Sequence, residues 1–567
     1  MMLKHPFFIA FLINVFFFNL CQSFGLAVFG AIDDFFMARI LEGVYGSDYN
    51  VHMTFVNVIY GYVLLPLYHM FPNVGWYYIG EKLEVFASFT IISYVIIKHL
   101  GNRWGSVLSM LFVAAFASDF YLTLQFTQCA TVLTAAGIAL FIHGLISTEN
   151  KGKFQQMVPL IISVCFMFWG SVMRLEAFLM GIPFLMVVIV LQFKKTLSQK
   201  RNVAVALTML IILVSGGIVL NKSEYTSPEY KKYMDFQGPR AVLGDGRTYD
   251  DQAVYEDLEE LGYSGKDFAM LKNWKFYDNE VFSPTNISII IQTIQRHYFK
   301  PSLWDLPMEI LGKLQECVKN PPVWFWIFVS LLIMIANGKR SFVVWGLWGM
   351  IVCYIGYFIL IGRFVYRVET GVWLYAIAVS LPFIRPLKFV KPRLSQRMWK
   401  WGSILIICCI ATANVFIYAK DGKIVRSPNH AEPVQLVSAA DTADFVALQI
   451  YMDSMPDSCL FIFPHNDYMR LSHHRLPPYK TENFGSWERI VPQGYWTPYF
   501  PDIEDAFRKR GMTNPMENMI KPNVYVVNDN KECDYLQRHY YDSVKVDSIR
   551  DFNGLVIYKY SVVEDSL

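Results

Sequence analysis

Long apolar runs separated by short charged turns dominate the pattern of this chain. The first run covers residues 6–30, and crossing a bilayer takes about 20 apolar residues. Further candidate spans lie at 76–97, 104–117, 129–146, 158–171, 178–193, 203–220, 324–336, 342–361, 372–384 and 401–418. The pattern therefore predicts an all-α polytopic membrane protein with about eleven transmembrane helices. A signal peptide is the alternative for the first run, but the run is longer than a usual signal core and lacks a small-residue cleavage site.

The stretch 51–71 is also apolar and decides the topology. If it spanned, Lys98 and Arg103 would lie outside and every later loop would be inverted. If it is re-entrant or interfacial, the basic residues gather on one side, as the positive-inside rule requires. They are Lys4, Lys98, Arg103, Lys151, Lys153, Lys194, Lys195, Lys200, Arg201, Lys339, Arg340, Arg385, Lys388, Lys391, Arg393, Arg397 and Lys400. We therefore expect an integral inner-membrane protein with a cytoplasmic N-terminus and an extracytoplasmic C-terminus.

Two polar regions lie outside in this topology. We expect an N-terminal transmembrane module over 1–220 with its first outer loop at 32–75, a large extracytoplasmic loop over 221–322, and further transmembrane helices over 323–419. Residues 420–567 alternate strand-like runs (459–463, 523–527, 554–560) with helix-like runs (439–455, 503–510, 533–541). That alternation predicts a small extracytoplasmic α/β domain at the C-terminus.

Composition supports the membrane class and excludes several others. Of 567 residues, 54% are hydrophobic and only 17% are charged, and the mean hydropathy is +0.31. The nine cysteines include no CxxC pair, so the sequence predicts neither a metal cluster nor a disulfide framework. There is no Gly-rich phosphate loop at a strand-to-helix turn and no basic-aromatic pattern, which argues against a nucleotide site and a nucleic-acid partner.

Two adjacent carboxylates, Asp33 and Asp34, follow the first apolar run at the edge of the membrane. A charge at that depth is costly and therefore marks a functional site. The next residues place Phe35, Phe36, Ile40, Leu41 and Val44 on one helical face, with Arg39 and Glu42 toward the other. This pattern predicts an amphipathic helix lying along the interface. The alternative is that the aspartates only cap a helix.

Other polar residues are expected at the same outer face: His52, Gln125, Gln128, Arg174, Glu176, Arg363 and Arg367. Arginine binds phosphate in a bidentate manner and stabilises charge that develops on a leaving phosphate. A carboxylate can accept the proton of an attacking hydroxyl. The set favours a reaction between an anionic lipid head and an acceptor hydroxyl or amine.

With these residues the chain resembles the GT-C superfamily of polyprenol-dependent membrane glycosyltransferases. Members include oligosaccharyltransferase catalytic subunits, protein O-mannosyltransferases and lipid A aminoarabinose transferases. The resemblance is carried by the acidic pair in the first outer loop, by His52 followed by Pro66-Leu67-Tyr68, and by the basic turn at 98–105. It is good over about residues 6–146 and only architectural beyond them.

The resemblance implies roles for these residues. Asp34 would be the catalytic base with Asp33 supporting it, and Arg363 and Arg367 would meet the lipid phosphate. Arg174, His52 and Gln128 complete the expected substrate-binding set. Many relatives carry a second acidic residue in the next outer loop, where this chain has Gln125-Phe126-Thr127-Gln128, with Asp119 nearer the preceding helix end. Because divalent cations prefer carboxylate oxygens, we expect metal-independent transfer without a cofactor, a bound divalent metal being the alternative.

Each functional interpretation has a structural alternative. Arg363 and Arg367 could be interfacial anchors, Arg174 and Glu176 a structural ion pair, and His52 a capping histidine. His465, His473 and His474 lack metal-ligand spacing and are expected on a solvated surface. The pair Tyr495 and Trp496 could stack on a sugar or fill a domain core.

The sequence therefore predicts an inverting glycosyltransferase of a bacterial envelope. It would move a sugar from a polyprenyl-phosphate donor to a glycan, lipid or protein acceptor at the extracytoplasmic face. One alternative is a lipid or polysaccharide transporter, although such proteins usually show related halves and broken helices. Another is a polysaccharide polymerase, although the region 221–322 is mixed and acidic rather than arginine-rich.

Overall fold

The computed structural model describes residues 5–25, 27–147, 153–243, 247–275, 277–299, 302–337, 341–384, 396–416, 439–464, 467, 477–482 and 484–563. The N-terminal half contains α1 (Pro6–Phe24), α2 (Ile32–Leu41), α3 (Val58–Met70), α4 (Trp76–Leu122), α5 (Phe126–Ser147), α6 (Lys153–Met173), α7 (Leu175–Leu191), α8 (Phe193–Ser198) and α9 (Lys200–Glu224). The next region contains α10 (Pro228–Leu243), α11 (Asp251–Glu260), α12 (Gly265–Lys272), α13 (Pro284–Arg296) and α14 (Leu306–Cys317). Then follow α15 (Pro321–Asn337), α16 (Phe342–Leu360), α17 (Tyr366–Ser380), α18 (Gln396–Val415), α19 (Ala439–Ser454), α20 (Pro501–Lys509) and α21 (Cys533–His539).

Six helices of the described ranges are long and apolar enough to cross a membrane, namely α1, α4, α5, α6, α9 and α16. The number rises to seven if α14 and α15, which are bent by 101° at their junction, form one broken span. The chain is thus a polytopic membrane protein built mainly of helices. Several predicted spans correspond to helices shorter than that length, such as α7, so the count of eleven stays a prediction.

The helix α4, which enters the count of six as one helix, is two antiparallel segments joined at Gly101. This glycine has φ 77° and ψ 160°, a conformation that side-chain-bearing residues rarely adopt. The chain reverses there, so the Ser109 hydroxyl donates to the Ser93 carbonyl at 3.2 Å. A Cβ on Gly105 would lie 2.4 Å from the Ile97 Cα, which shows how closely the two segments pack. The break falls in the basic turn between the predicted spans 76–97 and 104–117.

Part of the ambiguous stretch 51–71, Val58–Met70, forms the short helix α3. Its 13 residues are fewer than the about 20 that a perpendicular span needs. The Asn57 side chain caps it by accepting from the Ile59 N–H at 3.1 Å. Its length fits the interpretation of this stretch as a non-spanning segment.

The C-terminal region contains a five-stranded mixed sheet in the order β4-β3-β5-β7-β6. Its strands are β3 (Leu460–Phe463), β4 (Ile490–Pro492), β5 (Val524–Val527), β6 (Val544–Phe552) and β7 (Leu555–Val562), while β1 (Val28–Phe29) and β2 (Thr123–Leu124) form a separate pair. The strands β3, β4 and β5 are parallel, and β7 pairs antiparallel with β5 and β6. The three predicted strands and three predicted helices of this region are confirmed, whereas β4 and β6 were not predicted. The extracytoplasmic position of the sheet remains a prediction.

The predicted interfacial helix at α2 is wrong in one respect. Arg39 and Glu42 do not face solvent: they are 1% and 2% exposed, and their side chains form an ion pair. The C-terminal region packs over this side of α2, where the Trp487 N–H donates to the Val44 carbonyl at 3.1 Å. The Glu482 N–H of the same region donates to Glu42 Oε2 at 3.5 Å. Burial by these later segments overrides the amphipathic pattern.

Candidate active site

The short parallel pair of β1 and β2 places the acidic loop. Val28 pairs with Thr123 and Phe29 with Leu124, and the Gly30 N–H donates to the Leu124 carbonyl at 2.5 Å. The start of α2 therefore lies against the start of α5, although they are far apart in the sequence. Ala31 is the N-cap, so Asp33 and Asp34 lie inside the first helical turn and neither makes the side-chain capping bond. The helix dipole still favours their charge there.

Asp34 is fully buried. Its Oδ1 accepts the Phe126 N–H at 2.9 Å and the Tyr77 hydroxyl at 3.1 Å. Its Oδ2 has no hydrogen-bond partner within the described ranges and lies beside the carboxyl group of Glu81, which is also fully buried. Burial raises the pKa of Asp34 to about 7, against the opposing effect of the Phe126 bond. Asp34 thus anchors the loop in the protein interior.

Asp33 is half-buried and faces a group of cations instead. Burial lowers the pKa of Arg174 and of Arg240. The negative charge of the Asp33 carboxylate raises the pKa of both, because it lies near them. The same two adjacent aspartates therefore have different environments. Asp34 is enclosed by hydrogen bonds, whereas Asp33 lies near two guanidinium groups.

Arg174 lies in the sharp connection between α6 and α7. Its Nε is 2.7 Å from Glu176 Oε2, but the Glu176 side chain is 72% exposed, so water weakens this pair. The guanidinium lies over the rings of Phe126 and Phe55, at 5.3 and 5.9 Å from their centroids. Arg363 and Arg367, which flank the start of α17, are close enough to lower the pKa of Arg174 further. The predicted arginines are therefore brought together.

Arg240, on α10, was not among the predicted site residues. It is 5% exposed, its Nε donates to Gln237 Oε1 at 2.8 Å, and it lies over the rings of Trp274 and Tyr495. No carboxylate forms an ion pair with it among the residues that the structure describes. No motif marks this residue in the sequence, because its partners come from distant segments.

An amphipathic cavity of about 390 Å³ begins at these cations. Its polar lining includes Arg174, Glu176, Lys222, Gln237 and Arg240. Its apolar lining includes Phe168 of α6, Val214 and Ile218 of α9, and Met234 of α10. The helix α9, which is long and apolar enough to span a membrane and is largely unburied, thus supplies part of this apolar lining.

The other predicted site residues are placed differently. His52 lines a separate cavity, where its ring stacks on Tyr230 at 4.0 Å. Gln128 lies in the first turn of α5, and its buried amide group has no hydrogen-bond partner in the described part of the chain. The hydroxyl of Tyr366 donates to Asp119, which lies near the end of α4 as expected.

No set of three or more His, Cys, Asp or Glu side chains within the described ranges could hold a metal ion. The expectation of metal-independent chemistry stays a prediction. His465, His473 and His474 lie outside the described residues. Trp496 is fully buried against Phe36 and Phe55, at ring distances of 5.3 and 5.6 Å, which supports the core-filling interpretation of that side chain.

Comparisons with known proteins leave the family open. No family model matches the chain, and no curated protein is significantly similar to it. Among solved structures, the chain is similar to the crystal structure of ArnT from Cupriavidus metallidurans in the apo state, over 96% of this chain and 97% of that chain, with 10% sequence identity and a TM-score of 0.40. Similarity at this level does not establish function, which must be argued from the site itself.

Proposed function

We propose that this protein is a membrane glycosyltransferase of the GT-C type. It transfers a sugar from a polyprenyl-phosphate donor to an envelope glycan, lipid or protein acceptor at the extracytoplasmic face. The proposal keeps the orientation expected from the basic loops, with the N-terminus in the cytoplasm. It needs no metal ion or organic cofactor.

The observation that carries the proposal is an excess of positive charge in the lining of an amphipathic cavity. Arg174, Arg240 and Lys222 all line this cavity, and Arg363 and Arg367, which flank the start of α17, are close enough to lower the pKa of Arg174. Guanidinium groups are suited to phosphate oxygens because they donate parallel hydrogen bonds. The apolar lining from α6 and α9 suits the first isoprene units of the lipid.

In the proposed reaction Asp33 takes the base role that the resemblance suggested for Asp34. Its carboxylate accepts the proton of the acceptor hydroxyl while the hydroxyl oxygen attacks the anomeric carbon of the donor sugar. The bond between that carbon and the phosphate oxygen breaks, and the lipid phosphate leaves with the electron pair. The arginines stabilise the charge that develops on this oxygen. Attack opposite the leaving group inverts the anomeric configuration.

The test compares two adjacent carboxylates with the same substitution. Purified protein in lipid nanodiscs is given lipid extract carrying radiolabelled sugar, and transfer is measured for wild type, Asp33→Asn and Asp34→Asn. We expect Asp33→Asn to lower the rate of sugar transfer at least about 100-fold, which is the low end for a catalytic acid–base group. Asp34→Asn should lower the rate less than about tenfold. If Asp34→Asn loses the activity and Asp33→Asn keeps it, the base is Asp34. If wild type transfers nothing from any polyprenyl donor, the proposal fails and a lipid-transport assay follows.

A further inference from the structure

A second cavity lies between the first outer loop and the C-terminal region. Its volume is about 310 Å³, at the small end of the about 300–1,000 Å³ that ligand pockets occupy. It is lined by the loop residues 45–52, by Tyr230 of α10, and by Asp502, Asp505 and Lys509 of α20. Ser47 and Asp48 at its edge are exposed, so it opens to the outside of the protein.

Asn50 holds the three segments together. Its Nδ2 donates to Asp502 Oδ2 at 2.7 Å and to the Tyr230 hydroxyl at 2.9 Å. Its Oδ1 accepts from the His52 N–H at 2.9 Å and from the His52 ring Nδ1 at 2.8 Å. Every hydrogen-bonding position of this amide is therefore used within the protein. The cavity is formed before any ligand arrives.

The charge of this cavity is opposite to that of the first. The carboxylates of Asp48, Asp502 and Asp505 face it with one cation, and that cation, Lys509, lies 2.9 Å from Asp505. Burial lowers the pKa of His52, against the opposing effect of Glu224, whose Oε2 lies 3.7 Å from the ring Nε2. A phosphate or carboxylate ligand would be repelled.

The remaining lining suits a polyhydroxylated ligand. Sugar hydroxyls both donate and accept hydrogen bonds, and the carboxylates accept while the hydroxyl of Ser47 does both. The rings of Tyr49 and Tyr230 supply the aromatic surface on which the apolar face of a sugar packs. Aromatic rings with a few convergent polar groups are the usual composition of a small-molecule site.

The two cavities are neighbours along the chain. Residues 45–52 line the second and residues 54–57 line the first, so only Met53 lies between the two sets along the chain. Thr54 has φ 62°, which is strained for a β-branched residue. Its N–H donates to the Tyr225 hydroxyl at 3.0 Å, and its Oγ1 lies 2.7 Å from the Tyr233 hydroxyl. Strain of this kind persists only where surrounding contacts enforce it, and it clusters at functional sites.

We propose that this second cavity binds the acceptor, and that the acceptor is a carbohydrate without anionic groups, either uncharged or bearing an amine. Its role as the acceptor site rests on the proposed glycosyl transfer. The binding of a sugar in this cavity does not depend on that proposal. The acidic, aromatic site for the acceptor then adjoins the basic, apolar site for the donor along the chain, at Met53.

Saturation-transfer NMR tests sugar binding directly. The protein is placed in phosphatidylcholine nanodiscs, because maltoside detergents carry sugars of their own. The probes are methyl α-glucoside, N-acetylglucosamine, glucosamine, maltose, glucuronate and glucose 6-phosphate. Ser47→Trp places an indole at the mouth of the cavity, and Ser454→Trp makes the same change at an exposed site at the end of α19.

We expect at least one uncharged or amine-bearing probe to bind at least about tenfold more tightly than both anionic probes, a difference of about 1.4 kcal/mol. Ser47→Trp should weaken this binding at least tenfold, whereas Ser454→Trp should leave it unchanged. The inference is overturned if no sugar binds, if an anionic probe binds best, or if the two variants behave alike. If the wild-type protein transfers no sugar but still binds one, and Ser47→Trp weakens that binding, the proposed function is overturned. The carbohydrate site is then still supported.

Discussion

The Asp34 carboxylate accepts the backbone N–H of Phe126 at 2.9 Å, so a side chain of α2 provides a hydrogen-bond acceptor for the start of α5. Asp33, its neighbour in the sequence, makes no such bond and lies near Arg174 and Arg240 instead. One aspartate therefore holds the loop in place while the other is available to a substrate. This division of roles can be tested separately on stability and on activity.

Substitution of Asp34 by alanine should destabilise the protein. The change leaves the buried Phe126 N–H and the Tyr77 hydroxyl without their acceptor, which costs about 1–3 kcal/mol for a buried unsatisfied group. The matched control is Asp33→Ala, which should lower transfer activity but change the unfolding temperature little. Thermal unfolding of both variants in nanodiscs is the measurement. Equal shifts in the unfolding temperature would contradict the division of roles.

The contribution of Asp34 to stability should fall as the pH rises from about 4 to about 7. Burial raises the pKa of Asp34 from 3.8 to about 7, so in this window the folded protein holds a proton that the unfolded chain has released. For each proton that only the folded protein holds, the free energy of unfolding falls by at most about 1.4 kcal/mol per pH unit. Burial of Glu42 raises its pKa to about 7 and acts with the same sign.

The variant Asp34→Asn keeps an oxygen for Phe126 but cannot titrate. Its unfolding temperature should therefore depend less on pH between about 4 and 7 than that of wild type, with a remaining slope from Glu42. The measurement is a series of thermal melts across this range. A slope as steep as that of wild type would show that Asp34 does not hold the proton.

Arg174→Gln should impair use of the lipid donor. Loss of a positioned group that stabilises a developing negative charge costs about 100-fold or more in rate. We expect kcat/KM for the lipid-linked sugar to fall by about 100-fold, because Arg363 and Arg367 remain nearby. The control is Arg103→Gln, an exposed arginine in the Gly101 turn of α4, which should behave like wild type. A normal kcat/KM for Arg174→Gln would remove this residue from the phosphate site.

Lys275→Met should loosen the contact between the region 221–322 and the C-terminal region. Lys275 Nζ is 2.5 Å from Asp529 Oδ2 and 2.9 Å from Glu532 Oε1, and both carboxylates are almost fully buried. Removing the cation leaves them poorly compensated, which costs about 3 kcal/mol. Lys272→Met is the control, because its pair with Asp251 is exposed and is worth about 1 kcal/mol or less. Equal effects on thermal unfolding would contradict the role of Lys275.

Much of the candidate site could be predicted from the sequence. The acidic pair, Arg174, Arg363 and Arg367 all border long apolar runs, and ends of spans on one side of a membrane must lie near one plane. That argument predicted their approach without any knowledge of packing. It could not separate Asp33 from Asp34, because adjacent residues have the same sequence context and only tertiary burial distinguishes their environments.

What the sequence alone determined is the membrane class, most helices, and the strands and helices of the C-terminal region, since hydrophobic periodicity is a local property. Only the tertiary structure decided which side chains meet. It buried Arg39 and Glu42 beneath the C-terminal region and brought Arg240 to the cations. It also placed His52 in a different cavity from Arg174. These arrangements depend on contacts between segments hundreds of residues apart, whose energies come from burial and charge in the folded protein.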